Sequence, residues 1–397
     1  MPDDALQGVR VLDLASELGL PCTRFLADLG ADVIKVEQPG GDDTRQRPPF
    51  AGDKAEAERS LYFQHFNGNK RGVTLDLSKP DGQALFRRLA EQADVVVETF
   101  EPGTMAGWGI DYEALAKINP ALIFTSITLF GQTGPWRDYK GGELIAFALS
   151  GLMALSGEPN STPVLAPGEL SSGMASMHAA LAIQVALWHR LQSGKGQYID
   201  VSVAEAAAHI GSYAVPFYSY HKQKAERVSH LETTFELHDV YPCKDGWVRL
   251  FINPPEHWVR LLEWMGNPPE ISDPLFEDRH MRSENSDLID PYVRELCNRY
   301  TKKEIYMESQ SRHLAVTPMN TPGEFVESEQ TKARRLFQDV DHPAIGKLPQ
   351  MVPMHRGAEP EPPRRPAPTI GQHNDEVFGE LGLSAAEISG LRARGVL

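Results

Sequence analysis

Three cysteines in 397 residues are too few, and too far apart, to staple a fold. Cys22, Cys243 and Cys297 form no CxxC pair, so neither a disulfide framework nor a metal site is expected, and all three read as buried or surface thiols. Positive charge is scarce as well: 39 Lys and Arg stand against 54 Asp and Glu, a formal net charge of −15. A nucleic-acid backbone or an anionic membrane needs a clustered positive surface, so neither is expected as a partner. No apolar run approaches the ~20 residues of a membrane span, and MPDDALQGVR lacks the basic and apolar regions of a signal peptide, which makes the cytoplasm the expected location. Also missing is any GxGxxG or GxxxxGK[ST] following a strand, which demotes nicotinamide and nucleoside triphosphate enzymes. No internal repeat is evident.

What is present is alternation. Short apolar runs (GVRVLDL, ADVIKVE, GVTLDL, DVVVETF, ALIFTSITLF) are separated by helical patterns (LPCTRFLADLG, PDGQALFRRLAEQ, DYEALAKIN), so the fold class is α/β with a parallel, doubly wound sheet. Ligands of such sheets sit at the carboxyl ends of strands, which directs attention to the loops ASELG, QPGGDDTRQR, EPGTM and GQTGP. A small phosphorylated cofactor needs only a few local cations, and Lys35, Arg45, Arg47, Lys70, Arg71 and Lys140 all lie within the first 140 residues.

From about residue 141 the chain turns to helices rich in Ala, Gly and Ser, whose small side chains permit close packing on each other or on a partner chain. Residues 215–235 read as a crossing linker. A second unit follows, opening on two β-rich runs around Lys244, Asp245 and Gly246, a hairpin signal. Beyond it, DVDHPAIGKLPQMVPM reads as a returning strand pair, EPEPPRRPAP as an extended connector and the remainder as one or two amphipathic helices.

Glu169 stands alone on the loop PVLAPGELSSGM, just ahead of a long small-residue helix. It can be read as an acid at the helix N-terminus, stabilised by the helix dipole, or as a reactive carboxylate. The local pattern alone favours the first.

The ordered strings GVRVLDL, LGADVIKVEQPGGDDTR, NGNKRGVTLDL, VVVETFEPGTM, NPALIFTSITLFGQTGP, ALWHRLQSGKGQYIDVSVAEA, DVYPCKDGWV and APTIGQHNDEVFGELGLSAAEI cover almost the whole chain. In that order and spacing the chain resembles family III CoA-transferases, the formyl-CoA, carnitine and bile-acid type, which are related to the α-methylacyl-CoA racemases. The resemblance implies a Rossmann-like large domain (residues 1–225) that binds CoA, an inserted smaller α+β domain (226–330), and a returning segment (331–397) that completes the large one. It also implies a homodimer of interlocked rings, with a heteromer of related subunits as the alternative.

The family moves CoA from an acyl-CoA donor to a small carboxylic acid through a covalent carboxylate, which keeps the acyl bond energy in exchangeable form. The nucleophile is an aspartate in the family; here the matching residue is Glu169. The resemblance carries CoA contacts onto Leu18, Gln38, Arg45, Leu75, Thr99, Phe100, Lys140 and Gly141, with CoA as substrate and no metal. The chain departs from the family where ETFEPG puts Thr99 in place of an amide and Glu101 where a cation is frequent. Racemisation is disfavoured, since Gly142 stands where those relatives carry a histidine base. FINPPEHW replaces the glycine-rich flap of the formyl-CoA branch, which points away from formate or oxalate; Trp247, Phe251 and Trp258 read either as the lining of a larger acyl pocket or as core. Two readings remain open: a CoA-transferase using Glu169, or a noncatalytic CoA-binding member or subunit of a heteromer.

Overall fold

A computed structural model describes residues 5–227, 237–252, 254–353 and 364–397. Its contacts divide the chain into two compact units, one of Met1–Ala154, Leu165–Lys224 and Arg334–Leu397, the other of Leu155–Val164 and Ala225–Ala333. The inclusion of residues 155–164 in the second unit has no counterpart in the sequence pattern.

The larger unit opens with β1 (Arg10–Leu14), α1 (Leu20–Asp28), β2 (Asp32–Glu37), α2 (Leu61–Asn67), β3 (Arg71–Thr74), α3 (Pro80–Glu91) and β4 (Val95–Glu98). Two short helices, α4 (Thr104–Gly107) and α5 (Tyr112–Leu115), lead to β5 (Ile123–Thr128); α6 (Glu143–Leu149) and α7 (Leu170–Ser193) precede β6 (Tyr198–Ser202), α8 (Val203–Ile210) and α9 (Ala214–His221). All six strands pair in parallel in the order β3-β2-β1-β4-β5-β6. The central strands read as unbroken apolar runs because both faces are covered. Leu12, Ile34 and Val96 point to one core with Phe86 and Phe378, while Val11, Val33, Val97 and Ile127 point to another with Ala175, Ala179 and Ile183 of α7.

The smaller unit holds β7 (Leu237–Cys243), β8 (Gly246–Ile252), α10 (Pro255–Met265), α11 (Arg279–Glu284), α12 (Ser286–Asn298), α13 (Lys302–Ser311), β9 (Ala315–Pro318), α14 (Pro322–Glu327) and α15 (Glu329–Ala333). Its three antiparallel strands turn at Lys244 and Asp245 as the hairpin signal requires. Trp258 is 2% exposed in the core of this unit, whereas Trp247 is exposed. Trp258 therefore does not line an acyl pocket; it is packing. Asn253 of the FINPPEHW segment, residues 228–235 of the linker and 359–363 of the proline-rich connector lie outside the described residues.

The chain then returns to the larger unit as the hairpin β10 (Phe337–His342) and β11 (Gly346–Met351), followed by α16 (Asn374–Glu380) and α17 (Ala385–Ala393). α16 docks on the edge of the sheet: Asn374 accepts from Thr74 N at 2.8 Å, and Val377 and Phe378 enter the core beside β3.

One expectation is corrected by α7. Its 24 residues are long and apolar enough, by composition, to cross a membrane. Alanine raises mean hydropathy without forming a run of large apolar side chains, and half of the helix's apolar window is buried in the protein, against α1, β5 and α8.

Candidate active site

In a doubly wound sheet the ligand crevice forms where the strand order reverses, here between β1 and β4. The loops leaving those two strands are fastened together: Ser16 N donates to Thr99 Oγ1 at 2.8 Å. Gly19 is required by this closeness, since a Cβ there would lie 2.8 Å from Thr99 Cγ2 and 3.1 Å from Ile127 Cδ1. The β4 loop is set from below by Glu98, whose buried carboxylate accepts Phe100 N at 2.7 Å. Burial pushes the Glu98 pKa up to about 7, against the pull of its bonds to Ser126 and Phe100.

A cleft of about 150 Å³ opens at this point, lined by Leu18, Thr99, Phe100, Glu101, Arg137, Lys140 and Gly141 among others. Five of the eight predicted CoA contacts thus share one cleft: Leu18, Thr99, Phe100, Lys140 and Gly141. Gly141 is held at close quarters, where a Cβ would fall 2.8 Å from Leu129 Cδ2. Lys140 and Glu101 pair across the exposed rim. A second cleft of about 390 Å³, with Glu98, Ser126 and Tyr198 in its wall, shares Glu101 and Arg137 with the first.

The other three predicted contacts lie elsewhere. Gln38 is exposed on the turn after β2 and outside that cleft. Leu75 is 1% exposed, part of the core. Arg45 is fully buried, and its guanidinium is spent on Glu37 (2.6 and 2.7 Å), Glu58 (3.0 Å) and Pro368 O (2.9 Å) above the Phe63 ring. Its role is structural, and it presents no donor to a ligand. The same correction applies to three more of the six cations counted near the front of the chain. Lys35 pairs with Asp42, Lys70 with Asp13 at 2.8 Å, and Arg71 with Asp32, Glu376 and Glu380, all buried. Burial lowers the Lys70 pKa to about 8 despite Asp13, as befits an amine with no water. Arg47 and Lys140 remain accessible.

Glu169 occupies the N-cap position of α7 with φ 52° and ψ 50°, the left-handed region that costs a non-glycine residue ~1–2 kcal/mol. Its side chain makes no cap hydrogen bond. The cap is supplied instead by Glu143 at the start of α6, which accepts from Ser171 N at 2.7 Å, Ser172 N at 2.9 Å and Ser172 Oγ at 2.8 Å. Glu169 thus stands at the helix N-terminus, as one reading of the sequence had it, but without the cap's hydrogen bonds: another carboxylate takes those, and that of Glu169 is turned elsewhere.

It meets two side chains. Tyr62 donates its hydroxyl to Glu169 Oε2 at 2.8 Å. Arg47 Nη1 lies 3.0 Å from Glu169 Oε1 and 2.9 Å from Glu17 Oε1, with the guanidinium carbon 4.4 Å above the Tyr62 ring. Burial raises the Tyr62 pKa and the Glu169 carboxylate adds to it, so the phenol stays protonated and donates. Burial opposes the charge on Arg47, but Tyr62, Glu17 and Glu169 outweigh it and raise its pKa. Glu169 is about a quarter exposed (26%), reachable yet held. Glu17 immediately precedes Leu18, so the loop that lines the cleft also carries a member of the Glu169 cluster. Glu17, Tyr62 and Glu143 were not singled out by sequence reasoning. The one available signal was the place of Glu17 in the loop ASELG, which the strand pattern had marked.

The profile of CoA-transferase family III matches residues 6–374. The chain is 34% identical to the succinyl-CoA–L-malate CoA-transferase beta subunit of Chloroflexus aurantiacus, over 99% of this chain and 98% of that one. It is 33% identical to the succinyl-CoA–D-citramalate CoA-transferase of the same organism, over 100% and 99%. Among solved structures, a CAIB/BAIF family protein from Brucella suis superposes with a TM-score of 0.86 at 29% identity, covering 95% of this chain and 99% of that one.

Proposed function

The chain belongs to CoA-transferase family III, and from that membership we infer that it transfers CoA from an acyl-CoA to a carboxylic acid with Glu169 as the covalent carrier. The observation that supports Glu169 is its release from helix capping: an acid at a helix N-terminus, in strained backbone, whose carboxylate is instead offered to a phenol and a guanidinium. In this reading Glu169 attacks the thioester carbon, giving a mixed anhydride and CoA thiolate. The thiolate then attacks the Glu169 acyl carbon, releasing the first acid and leaving a glutamyl-CoA thioester. An incoming carboxylate reverses the two steps, and no proton is transferred at any of them.

Each tetrahedral intermediate at Glu169 places negative charge on an oxygen, and the Tyr62 hydroxyl is the donor aimed at it. The CoA chain is assigned to the cleft of Leu18, Thr99, Phe100, Lys140 and Gly141, where Lys140 and Arg137 are the cations of the lining. Glu169 stands in left-handed backbone, and its side chain reaches the Tyr62 hydroxyl. The acids handled by the two Chloroflexus relatives, malate and citramalate, favour a dicarboxylic acid as acceptor and succinyl-CoA as donor.

The functional unit in this reading is a dimer. Met177, Leu181, Val185, Trp188 and Leu191 form an exposed apolar stripe on α7, and exposed Tyr213, Val215, Tyr218 and Tyr220 follow on or beside α9. A stripe of that extent points to burial against another chain. A heteromer is the second reading, favoured by the beta-subunit name of the Chloroflexus malate relative.

The test is CoA transfer from succinyl-CoA to a panel of dicarboxylic acids by the protein purified alone, with and without Glu169→Ala. Transfer that the substitution abolishes supports the reading. Transfer that survives it removes Glu169 from the mechanism.

A further inference from the structure

We propose that Arg47 is the binding site for the carboxylate of the acid substrate, and that this site becomes available only when Glu169 is held as the glutamyl-CoA thioester. The inference rests on the transferase reading of Glu169 and identifies where the second substrate docks. In the free protein one guanidinium nitrogen serves two carboxylates, Glu17 at 2.9 Å and Glu169 at 3.0 Å. The cluster therefore carries a formal charge of −1 with Tyr62 protonated, which repels a free acid. Thioester formation at Glu169 removes one negative charge and leaves Arg47 matched by Glu17 alone, so an incoming carboxylate restores the original charge count.

Position agrees with charge. An oxygen about to attack the Glu169 acyl carbon must come within ~3–3.5 Å of it. Arg47 Nη1 already sits 3.0 Å from an oxygen bonded to that carbon, so an attacking carboxylate falls within ionic reach of the same nitrogen. The Arg47 side chain as a whole is 35% exposed, with Nη1 itself buried between the two carboxylates, and the face of Tyr62 fixes its plane. Lys35, Arg45, Lys70 and Arg71 are buried in ion pairs of their own, and Lys140 is engaged by Glu101 at the rim of the other cleft. In the step itself the acid oxygen bonds to the Glu169 acyl carbon as the C–S bond breaks and the thiolate leaves with its electron pair. The thiolate then attacks the acid's own carbonyl carbon, and the bonding pair returns to Glu169 as carboxylate, again beside Arg47.

Two measurements test this, and the first needs no turnover. Glu169→Gln is a neutral stand-in for the thioester state, and succinate is the probe, followed by titration calorimetry. Glu169→Gln should bind succinate at least ~10-fold tighter than the wild type, the effect of removing one like charge from a partly exposed site. Adding Arg47→Gln should erase the gain, and Arg47→Lys should retain part of it. No tightening, or tightening that survives Arg47→Gln, overturns the proposal.

The second measurement follows discharge of the glutamyl-CoA adduct by succinate and by hydroxylamine, an uncharged nucleophile. Arg47→Gln should slow discharge by succinate by at least ~10-fold and leave hydroxylamine cleavage near the wild-type rate. Equal slowing of both would mean that Arg47 only orients Glu169, and the carboxylate site would be rejected. If the wild type forms no adduct, the nucleophile reading fails while the succinate titration still decides the role of Arg47.

Discussion

Replacing Glu143 with alanine would leave the amides of Ser171 and Ser172 without their acceptor at the head of a 24-residue helix. Losing such a cap costs ~1–2 kcal/mol, read as a fall in melting temperature. The transfer rate should fall as well, because Glu169 is the nearest acid to take over the vacant amides. Glu143→Gln, which keeps an acceptor oxygen, should recover much of the stability; unchanged melting in Glu143→Ala would contradict the division of labour between the two carboxylates. At Tyr62, removal of the hydroxyl by Tyr62→Phe should lower kcat by ~100-fold, the usual cost of one oxyanion donor, with little change in the KM for acyl-CoA. A rise in KM at constant kcat would make Tyr62 a binding group instead.

Glu98 supplies a prediction in pH. Its folded pKa, near 7, lies above its ordinary value of 4.5, so between those pH values the native state holds a proton that the unfolded chain has released. Folding stability therefore falls as pH rises through that window, by up to ~1.4 kcal/mol per pH unit. Glu98→Gln removes the titration, and its melting temperature relative to the wild type should climb from pH 5 to pH 8 in calorimetric scans. A difference independent of pH would show that Glu98 is ionised throughout.

Among the elements, α7 shows both the reach and the limit of the sequence. Its small residues announce close packing, and Ala175, Ala179 and Ile183 do pack on the sheet. The opposite face, with Met177, Leu181, Val185, Trp188 and Leu191, is between 56% and 78% exposed. A helix apolar all round does not disclose from its sequence which face belongs to its own core and which to another chain. Light scattering should give twice the 44.0 kDa chain mass, and Leu181→Lys with Trp188→Glu should reduce it to one chain. A wild type that runs as a monomer would contradict the dimer. The helix start was obscure for a different reason: the residue that caps α7 is 28 positions upstream, beyond any local capping pattern.

In the whole molecule, the parallel sheet was legible because strand and helix periods alternate so regularly, whereas the order β3-β2-β1-β4-β5-β6, which sets the crevice between the loops of Ser16 and Thr99, is a matter of long-range pairing that no period encodes. The cleft residues Thr99, Phe100, Lys140 and Gly141 were reached through the resemblance to the family, with strand-end logic marking only loops near them. Arg45 and Lys70 were misleading because a cation paired with Glu37 or Asp13 is written in the same letters as one that waits for a phosphate. Tyr62 and Arg47 meet Glu169 only through folding, from as far as 122 positions away (169 − 47), and Glu17 joins them through Arg47.

The central claim is that Glu169 carries CoA, and the intact mass of the protein after incubation with succinyl-CoA tests it most directly. The account predicts an added mass equal to CoA less water on the wild type, lost on treatment with hydroxylamine and absent from Glu169→Ala. Succinyl-CoA bound without any covalent mass, or the same adduct on Glu169→Ala, would contradict it.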